Sequence, residues 1–182
     1  MTFQELINQR QSVRKYIDKP VEHEKIEQLI EAVHIAPSAC NSQPWKLIIV
    51  DNHEIKNEVA KATFNKAVSF NKFAMEAPVI AVLVIEKTKL IARLGGSIKN
   101  QEYPEYDTGI AAAHFCLQAT ELGLSTCMIG WFDEKKIQQL LHIPKKRKIG
   151  MLISLGYAPE DYKLRKKIRK PVDAICGFNS YE

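Results

Sequence analysis

Two segments near the start of the chain carry side chains that could bind a ligand. Arg10, Ser12 and Arg14 alternate just after a short predicted helix, so an extended backbone would place all three on one side. Two guanidinium groups beside a hydroxyl suit a phosphate, because each guanidinium can donate to two oxygens. Residues 36–45 combine small and amide side chains with no acid or base, which favours contact with a flat, polar-edged molecule over proton transfer. Solvated surface arginines and an ordinary proline-containing connection are the alternative interpretations.

Further short motifs follow along the chain, each of them common by itself. In order, the set comprises residues 10–16, 36–45, 107–113, 123–124, 128–132, 154–158 and 169–171. Taken together, they make nearly the whole chain similar to the nitroreductase-like family of FMN-dependent NAD(P)H oxidoreductases. That resemblance implies an α+β fold with a central mixed, mainly antiparallel sheet flanked by helices. It also implies an intertwined homodimer that binds FMN in the subunit interface.

The resemblance assigns roles to individual residues. The residues implied to bind FMN are Arg10, Gln11, Ser12, Arg14, Pro37, Ser38, Ala39, Asn41, Gln43, Asn71, Ile129, Gly130, Lys167 and Arg169. Arg10, Ser12, Arg14, Lys167 and Arg169 would hold the phosphate and ribityl chain. The loop at 37–41 would line the flavin from the other subunit, while Gln43 and Asn71 would bond its polar pyrimidine edge. Ile129 and Gly130 would present backbone near the ring nitrogen that carries the hydride.

The implied activity is hydride transfer from NADH or NADPH to FMN, and then from FMN to a nitroaromatic, quinone or similar acceptor, in a ping-pong sequence. No catalytic side chain is expected, because the cofactor supplies the chemistry. A flavin-binding redox sensor or storage protein with little turnover is the alternative. Two departures from the family pattern occur: some relatives carry a lysine where Ala74 stands, and a glutamate where Gly130 stands.

Composition favours one globular domain over residues 1–182. Hydrophobic residues make up 46% of the 182 residues, and the formal net charge is +5. Basic clusters at 145–148 and 163–170 lack interleaved aromatic residues, so we expect solvated faces and a phosphate site instead of nucleic-acid binding.

The four cysteines lack the spacing of zinc ligands, so we expect no bound metal. No signal peptide and no apolar run of about 20 residues are visible, so we expect no membrane span. These features predict a cytoplasmic protein with reduced thiols.

Hydrophobic periodicity predicts alternating helices and strands. We expect helices at 22–34, from Asp51 towards Phe70, at 107–122 and after Asp133, and strands at 45–50, 77–85 and 148–156. Asp107 would cap the third of these helices. Residues 87–106 are either a substrate lid or a variable surface segment. Residues 171–182 have too little pattern to fold alone, so we expect an arm that lies across the partner subunit.

Overall fold

The computed structural model describes residues 1–87 and 102–181, which form five helices and four strands within those ranges. The helices are α1 (Phe3–Gln9), α2 (His23–His34), α3 (His53–Lys61), α4 (Tyr103–Glu121) and α5 (Glu134–Leu140). The strands are β1 (Trp45–Val50), β2 (Val79–Ile85), β3 (Ser125–Ile129) and β4 (Lys148–Gly156). Short 3₁₀ turns occupy Ala39–Asn41, Lys72–Met75 and Val172–Ala174. None of the described helices is long and apolar enough to cross a membrane.

The four strands form one sheet in the order β1-β2-β4-β3, and all three pairings are antiparallel. Trp45 is opposite Ile85 at one end of the sheet, whereas Thr126 is opposite Leu155 towards the other end. A parallel bridge between Ser12 and Thr126 adds the N-terminal segment outside β3. The predicted α+β fold, with a mixed and mainly antiparallel sheet, is therefore confirmed.

Strand β2 explains why the chain folds as two helical layers around one sheet. Ile80, Val82 and Val84 lie in one hydrophobic core, and the alternate residues, including Ala81 and Leu83, lie in a second core on the opposite face. Side chains alternate between the faces of a strand, so an almost wholly apolar run needs cover on both sides. The predicted central strand is confirmed, beginning two residues later than expected.

Helix α4 lies in the second core, where small residues allow close packing. Ala111, Ala112 and Ala119 are fully buried, and Phe115 fills the space between the helix and the sheet. Residues of α2 pack in the same core, and α2 makes extensive contact with α4. The expected close packing of this alanine-rich helix is confirmed.

The predicted cap of α5 is correct, whereas the predicted caps of α3 and α4 are wrong. Helix α1 begins with a capping box formed by Thr2 and Glu5, and the predicted Asp133 cap of α5 is present. Asn52, not Asp51, caps α3, because its Oδ1 accepts a hydrogen bond from Ile55 N–H at 3.1 Å. Both residue types are good caps, so composition could not distinguish them.

Helix α3 also stops well short of Phe70, ending at Lys61. Asn65 follows it, and its Oδ1 accepts hydrogen bonds at 2.8 Å from two backbone N–H groups, those of Ala67 and Val68. An asparagine that bonds the backbone ahead of it stabilises a turn in place of a helix.

Helix α4 begins at Tyr103, four residues before the position expected, with Pro104 in its first turn. Proline suits that position because its missing N–H would have no partner there. Asp107 therefore lies inside the helix, and the prediction that it caps the helix is wrong. The segment 87–106, considered above as a lid, lies partly in this helix, and its residues 88–101 lie outside the described residues.

The chain after β4 has little regular structure. From Pro159 to Tyr181 the described residues form a single 3₁₀ turn, and Ile168, Val172 and Phe178 have exposed side chains, with Phe178 86% exposed. Isolated exposed apolar residues are normal, but a run of them along one segment is typical of a surface that contacts another protein. The swapped arm at 171–182 stays a prediction.

Candidate functional site

The segment at 10–14 is extended because it adds to the edge of the sheet. Helix α1 ends at Gln9, and Arg10 leaves the helix at φ −57°, ψ 121°. Val13 N–H then donates to the Thr126 carbonyl of β3 at 2.9 Å. This pairing buries Val13 and leaves Arg10, Ser12 and Arg14 beside a groove.

Residues 165–169, which precede the predicted C-terminal arm, form the opposite side of that groove. Lys167 Nζ donates to the Arg10 carbonyl at 2.6 Å, and Arg165 N–H donates to Gln11 Oε1 at 3.1 Å. The Arg165 guanidinium also donates to the Ser12 carbonyl. The groove has a volume of about 420 Å³ and is lined by Arg10, Gln11, Ser12, Arg14 and residues 165–169. We call it the cationic groove.

Every residue predicted for the phosphate lies in the cationic groove, although the two halves are more than 150 positions apart in sequence. Sequence reasoning missed Arg165, which lines the groove and holds Gln11. The sequence could have indicated Arg165, because basic residues occur at every second position at 165, 167 and 169.

The charges in the cationic groove repel one another. Partial burial, together with the positive charges of Arg10, Arg169 and Arg165, lowers the pKa of Lys167. Among the described residues, none of the groove's arginines and lysines forms an ion pair with a carboxylate. An anion bound here would relieve this repulsion.

Two buried thiols near the groove do not compensate its charge. Burial raises the pKa of Cys116 to about 11, and burial also raises the pKa of Cys127, despite the opposing effects of nearby arginines. Both thiols are therefore neutral at pH 7, and they leave the groove's net positive charge intact.

The loop at 37–43 is held in a tight and unusual conformation. Cys40, Asn41 and Gln43 have φ between 47° and 52°, in the left-handed region that residues other than glycine seldom adopt. Gln43 N–H donates to Ser38 Oγ at 2.8 Å, and Gln43 Nε2 donates to Asn41 Oδ1 at 2.8 Å. The side chains of the exposed residues Asn41 and Gln43 are thus paired with each other.

Asp107 anchors this loop from α4. Both of its carboxylate oxygens accept the Ala39 N–H, at 3.1 and 3.2 Å, and the residue is only 4% exposed. Sequence reasoning missed this contact, because it joins residues 68 positions apart and the carboxylate had been interpreted as a helix cap.

Asn71, Ile129 and Gly130 lie near the end of β3. Asn71 is buried, and its Nδ2 donates to the carbonyls of Thr63 and Trp131 at 3.1 and 3.2 Å. Its amide hydrogens therefore connect two backbone segments, which leaves only its oxygen to meet the edge of a ligand.

The two positions that depart from the family pattern differ in the space around them. Ala74 is fully buried in the turn Lys72–Met75, so a lysine at this position would have to be buried, while the nearby Lys72 is exposed. A Cβ added at Gly130 would meet nothing within 4 Å, so the end of β3 is open where some relatives carry a glutamate.

The groove and the loop at 37–43, two of the three groups formed by the predicted residues, lie at opposite corners of the sheet. The groove lies outside β3 near the Thr126–Leu155 end, and the loop at 37–43 precedes β1 at the Trp45–Ile85 end. Four inter-strand spacings of about 4.8 Å, and seven steps of about 3.4 Å along β4, separate the two groups by about 30 Å.

Comparison with known proteins gives a consistent result. The sequence model of the Nitroreductase family matches residues 7–157. The chain is 27% identical to an oxygen-insensitive NADPH nitroreductase of Helicobacter acinonychis, over 92% of this chain and 91% of that protein.

Solved structures agree. An FMN-dependent nitroreductase of Clostridium difficile R20291 has a TM-score of 0.74 and 27% identity, covering 97% of this chain and 98% of that one. A nitroreductase family protein of Clostridium difficile 630 has a TM-score of 0.82 and 26% identity, covering 99% of each chain.

Proposed function

Since this chain belongs to the nitroreductase family, we propose that it is an FMN-dependent oxidoreductase that uses NADH or NADPH to reduce nitroaromatics, quinones or similar acceptors. The observation that carries the proposal is the cationic groove, because an anionic group bound there would relieve the repulsion between its positive charges. A phosphate monoester fits this donor set, because guanidinium groups bind phosphate oxygens in pairs.

Different residues of the chain would bind different parts of the cofactor. Arg10, Ser12, Arg14, Lys167 and Arg169 would hold the phosphate and ribityl chain in the groove. When bound, FMN would supply the chemistry by accepting a hydride from the nicotinamide and passing electrons on in a separate half-reaction.

The loop at 37–43 would hold the flavin ring by close backbone contact, with the paired amides of Asn41 and Gln43 at its polar edge. Ile129 and Gly130 would bring backbone to the opposite edge, and the missing side chain at Gly130 would leave room there for a substrate. Within the site as proposed, no side chain has to transfer a proton.

The separation of the two groups supports a homodimer with shared sites. The ribityl chain between phosphate and ring spans about 9 Å, and the ring adds about 10 Å, given bonds of about 1.5 Å. One FMN cannot reach between groups about 30 Å apart within one protomer. The loop would therefore come from the partner, and the exposed arm at 171–182 would lie across that partner.

Absorbance spectroscopy of the purified protein tests the proposal. We expect a flavin spectrum, or its appearance after added FMN is bound, and bleaching by anaerobic NADPH or NADH. Steady-state rates with a quinone should give parallel double-reciprocal lines, as a ping-pong sequence requires. A protein that takes up no FMN would refute the proposal, and a flavoprotein that neither nucleotide reduces would support the sensor or storage alternative.

A further inference from the structure

Asp107 occupies a position where a carboxylate is unexpected. It lies five residues into α4 and is 4% exposed, in the core layer that includes Ala111 and Phe115. Buried carboxylates are rare unless they have a partner, because removal of the charge from water is unfavourable. The partner that the structure provides is the Ala39 N–H, which both oxygens accept at 3.1 and 3.2 Å.

That N–H belongs to the first residue of the turn Ala39–Asn41, which lacks a cap of its own. Ser38 stands at the cap position, but its Oγ accepts from Gln43 N–H instead. A carboxylate at the start of a turn accepts a hydrogen bond from a backbone N–H that has no partner within the turn. Asp107 therefore caps, from another helix, a turn whose own cap residue is engaged elsewhere.

The turn needs such an anchor because its backbone is strained. Three residues out of four, Cys40, Asn41 and Gln43, have left-handed φ values without being glycine. Conformations of this kind persist only where surrounding contacts hold them. The hydrogen bond from Ala39 N–H to the Asp107 carboxylate is charge-assisted, and is therefore strong enough to hold the start of the turn.

We infer that Asp107 is a positioning residue for the flavin: it fixes the loop at 37–43 through Ala39 and places a buried negative charge behind that loop. This inference rests on the proposed function, because it assumes that the loop lines the ring. The negative charge would disfavour the electron-rich reduced flavin, so it would hold the reduction potential of the bound FMN lower than the loop alone would.

Two substitutions separate the hydrogen bond from the charge. Asp107→Asn keeps an acceptor for Ala39 N–H and removes the charge, whereas Asp107→Ala removes both. We expect Asp107→Ala to weaken FMN binding about 10- to 100-fold, the range for a lost hydrogen bond to a charged group. Asp107→Asn should recover most of that affinity and shift the potential of the bound flavin to a more positive value.

Hydrogen exchange in the FMN-free protein gives a readout that is independent of cofactor and activity. The Ala39 amide should exchange faster in Asp107→Ala than in wild type, and Asp107→Asn should restore most of its protection. Asp51→Asn, an exposed carboxylate at the other end of β1, is the matched control and should leave exchange, affinity and potential unchanged.

The outcomes separate this inference from the proposed function. Wild-type affinity and wild-type potential in both Asp107 variants would overturn the inference while FMN binding stood. Equal losses in both variants, without rescue by asparagine and without a change in potential, would also overturn it, because Asp107 would then act only in packing. A wild-type protein that fails to bind FMN would instead refute the proposed function, whatever the exchange data showed.

Discussion

Replacement of Arg14 by alanine tests the phosphate contact without disturbing the fold. Among the described residues, the Arg14 guanidinium forms no hydrogen bond or ion pair, and only the Arg14 backbone N–H is engaged, with Tyr162 Oη at 3.2 Å. Arg165, by contrast, holds Gln11 and Ser12, so its loss would also disturb the segment at 10–14. Arg14→Ala should therefore change ligand binding without lowering the melting temperature.

The size of the effect follows from exposure. A hydrogen bond to a charged group contributes about 1.5–3 kcal/mol, and the lower end applies here because the Arg14 side chain is exposed to solvent in the protomer. A loss of about 1.5 kcal/mol corresponds to roughly tenfold weaker binding. The FMN Kd, measured by quenching of flavin fluorescence, should rise by about that factor.

Two controls make the Arg14 experiment specific. Lys15→Ala removes the same charge from the next residue, which does not line the groove, and should leave the FMN Kd within about twofold. Riboflavin lacks the phosphate, so its affinity should be the same for wild type and Arg14→Ala. The phosphate assignment would be refuted by an unchanged FMN Kd, or by an equal loss of affinity for riboflavin.

Two further predictions concern charge and packing. The pKa of Lys167 is lowered, so this lysine should lose its proton at a pH below the ordinary lysine pKa of about 10.4, and FMN affinity should fall as pH rises from 7 to 10. Lys167→Gln should bind FMN more weakly than wild type at pH 7, and its affinity should depend less on pH. Equal pH dependence of FMN affinity in the two proteins would contradict this prediction. Gly156→Ala should reduce the free energy of unfolding by about 1–3 kcal/mol in urea denaturation, because an added Cβ would lie 2.5 Å from Pro78 Cδ and 3.0 Å from Tyr16 Cδ1. Gly130→Ala is its matched control and should be neutral, since nothing lies within 4 Å; equal effects at the two glycines would count against the packing argument.

Three of the four strands could be predicted from the sequence because their signals are local, whereas β3 was not predicted. Both Trp45–Val50 and Lys148–Gly156 begin and end where the sequence analysis placed them. In each, a mainly apolar run ends at turn-forming residues, and no tertiary contact is needed to recognise such a boundary. The cap of α5 at Asp133 was equally local.

Contacts between distant residues could not be predicted in this way. The pairing of Asp107 with Ala39 depends on how α4 packs against the loop, and a carboxylate near a helix start has the same sequence signature whether it caps its own helix or another turn. The role of Arg165 depends on the path of the segment after β4, which has no hydrophobic periodicity. Both follow from packing, on which local propensity carries no information.

The last prediction tests whether each FMN site takes its groove from one subunit and its loop from the other. Arg14→Ala damages the groove, and Ala39→Trp would place an indole where the loop is proposed to meet the ring, while it keeps the N–H that Asp107 accepts. Each variant alone should bind FMN more weakly than wild type, Arg14→Ala by about tenfold. In a two-fold dimer whose sites each take the groove from one subunit and the loop from the other, a mixed dimer carries one site with both defects and one with neither.

Unfolding and refolding of the two variants together at equal concentration should therefore recover about a quarter of the wild-type flavin sites, since half of the dimers are mixed and each contains one intact site. Flavin absorbance after removal of unbound FMN measures that fraction, and wild type taken through the same cycle corrects for incomplete refolding. If groove and loop of the same protomer formed the site, mixing would restore nothing, because every site would keep one defect. Recovery on mixing would therefore show that the two distant groups act together across the subunit interface.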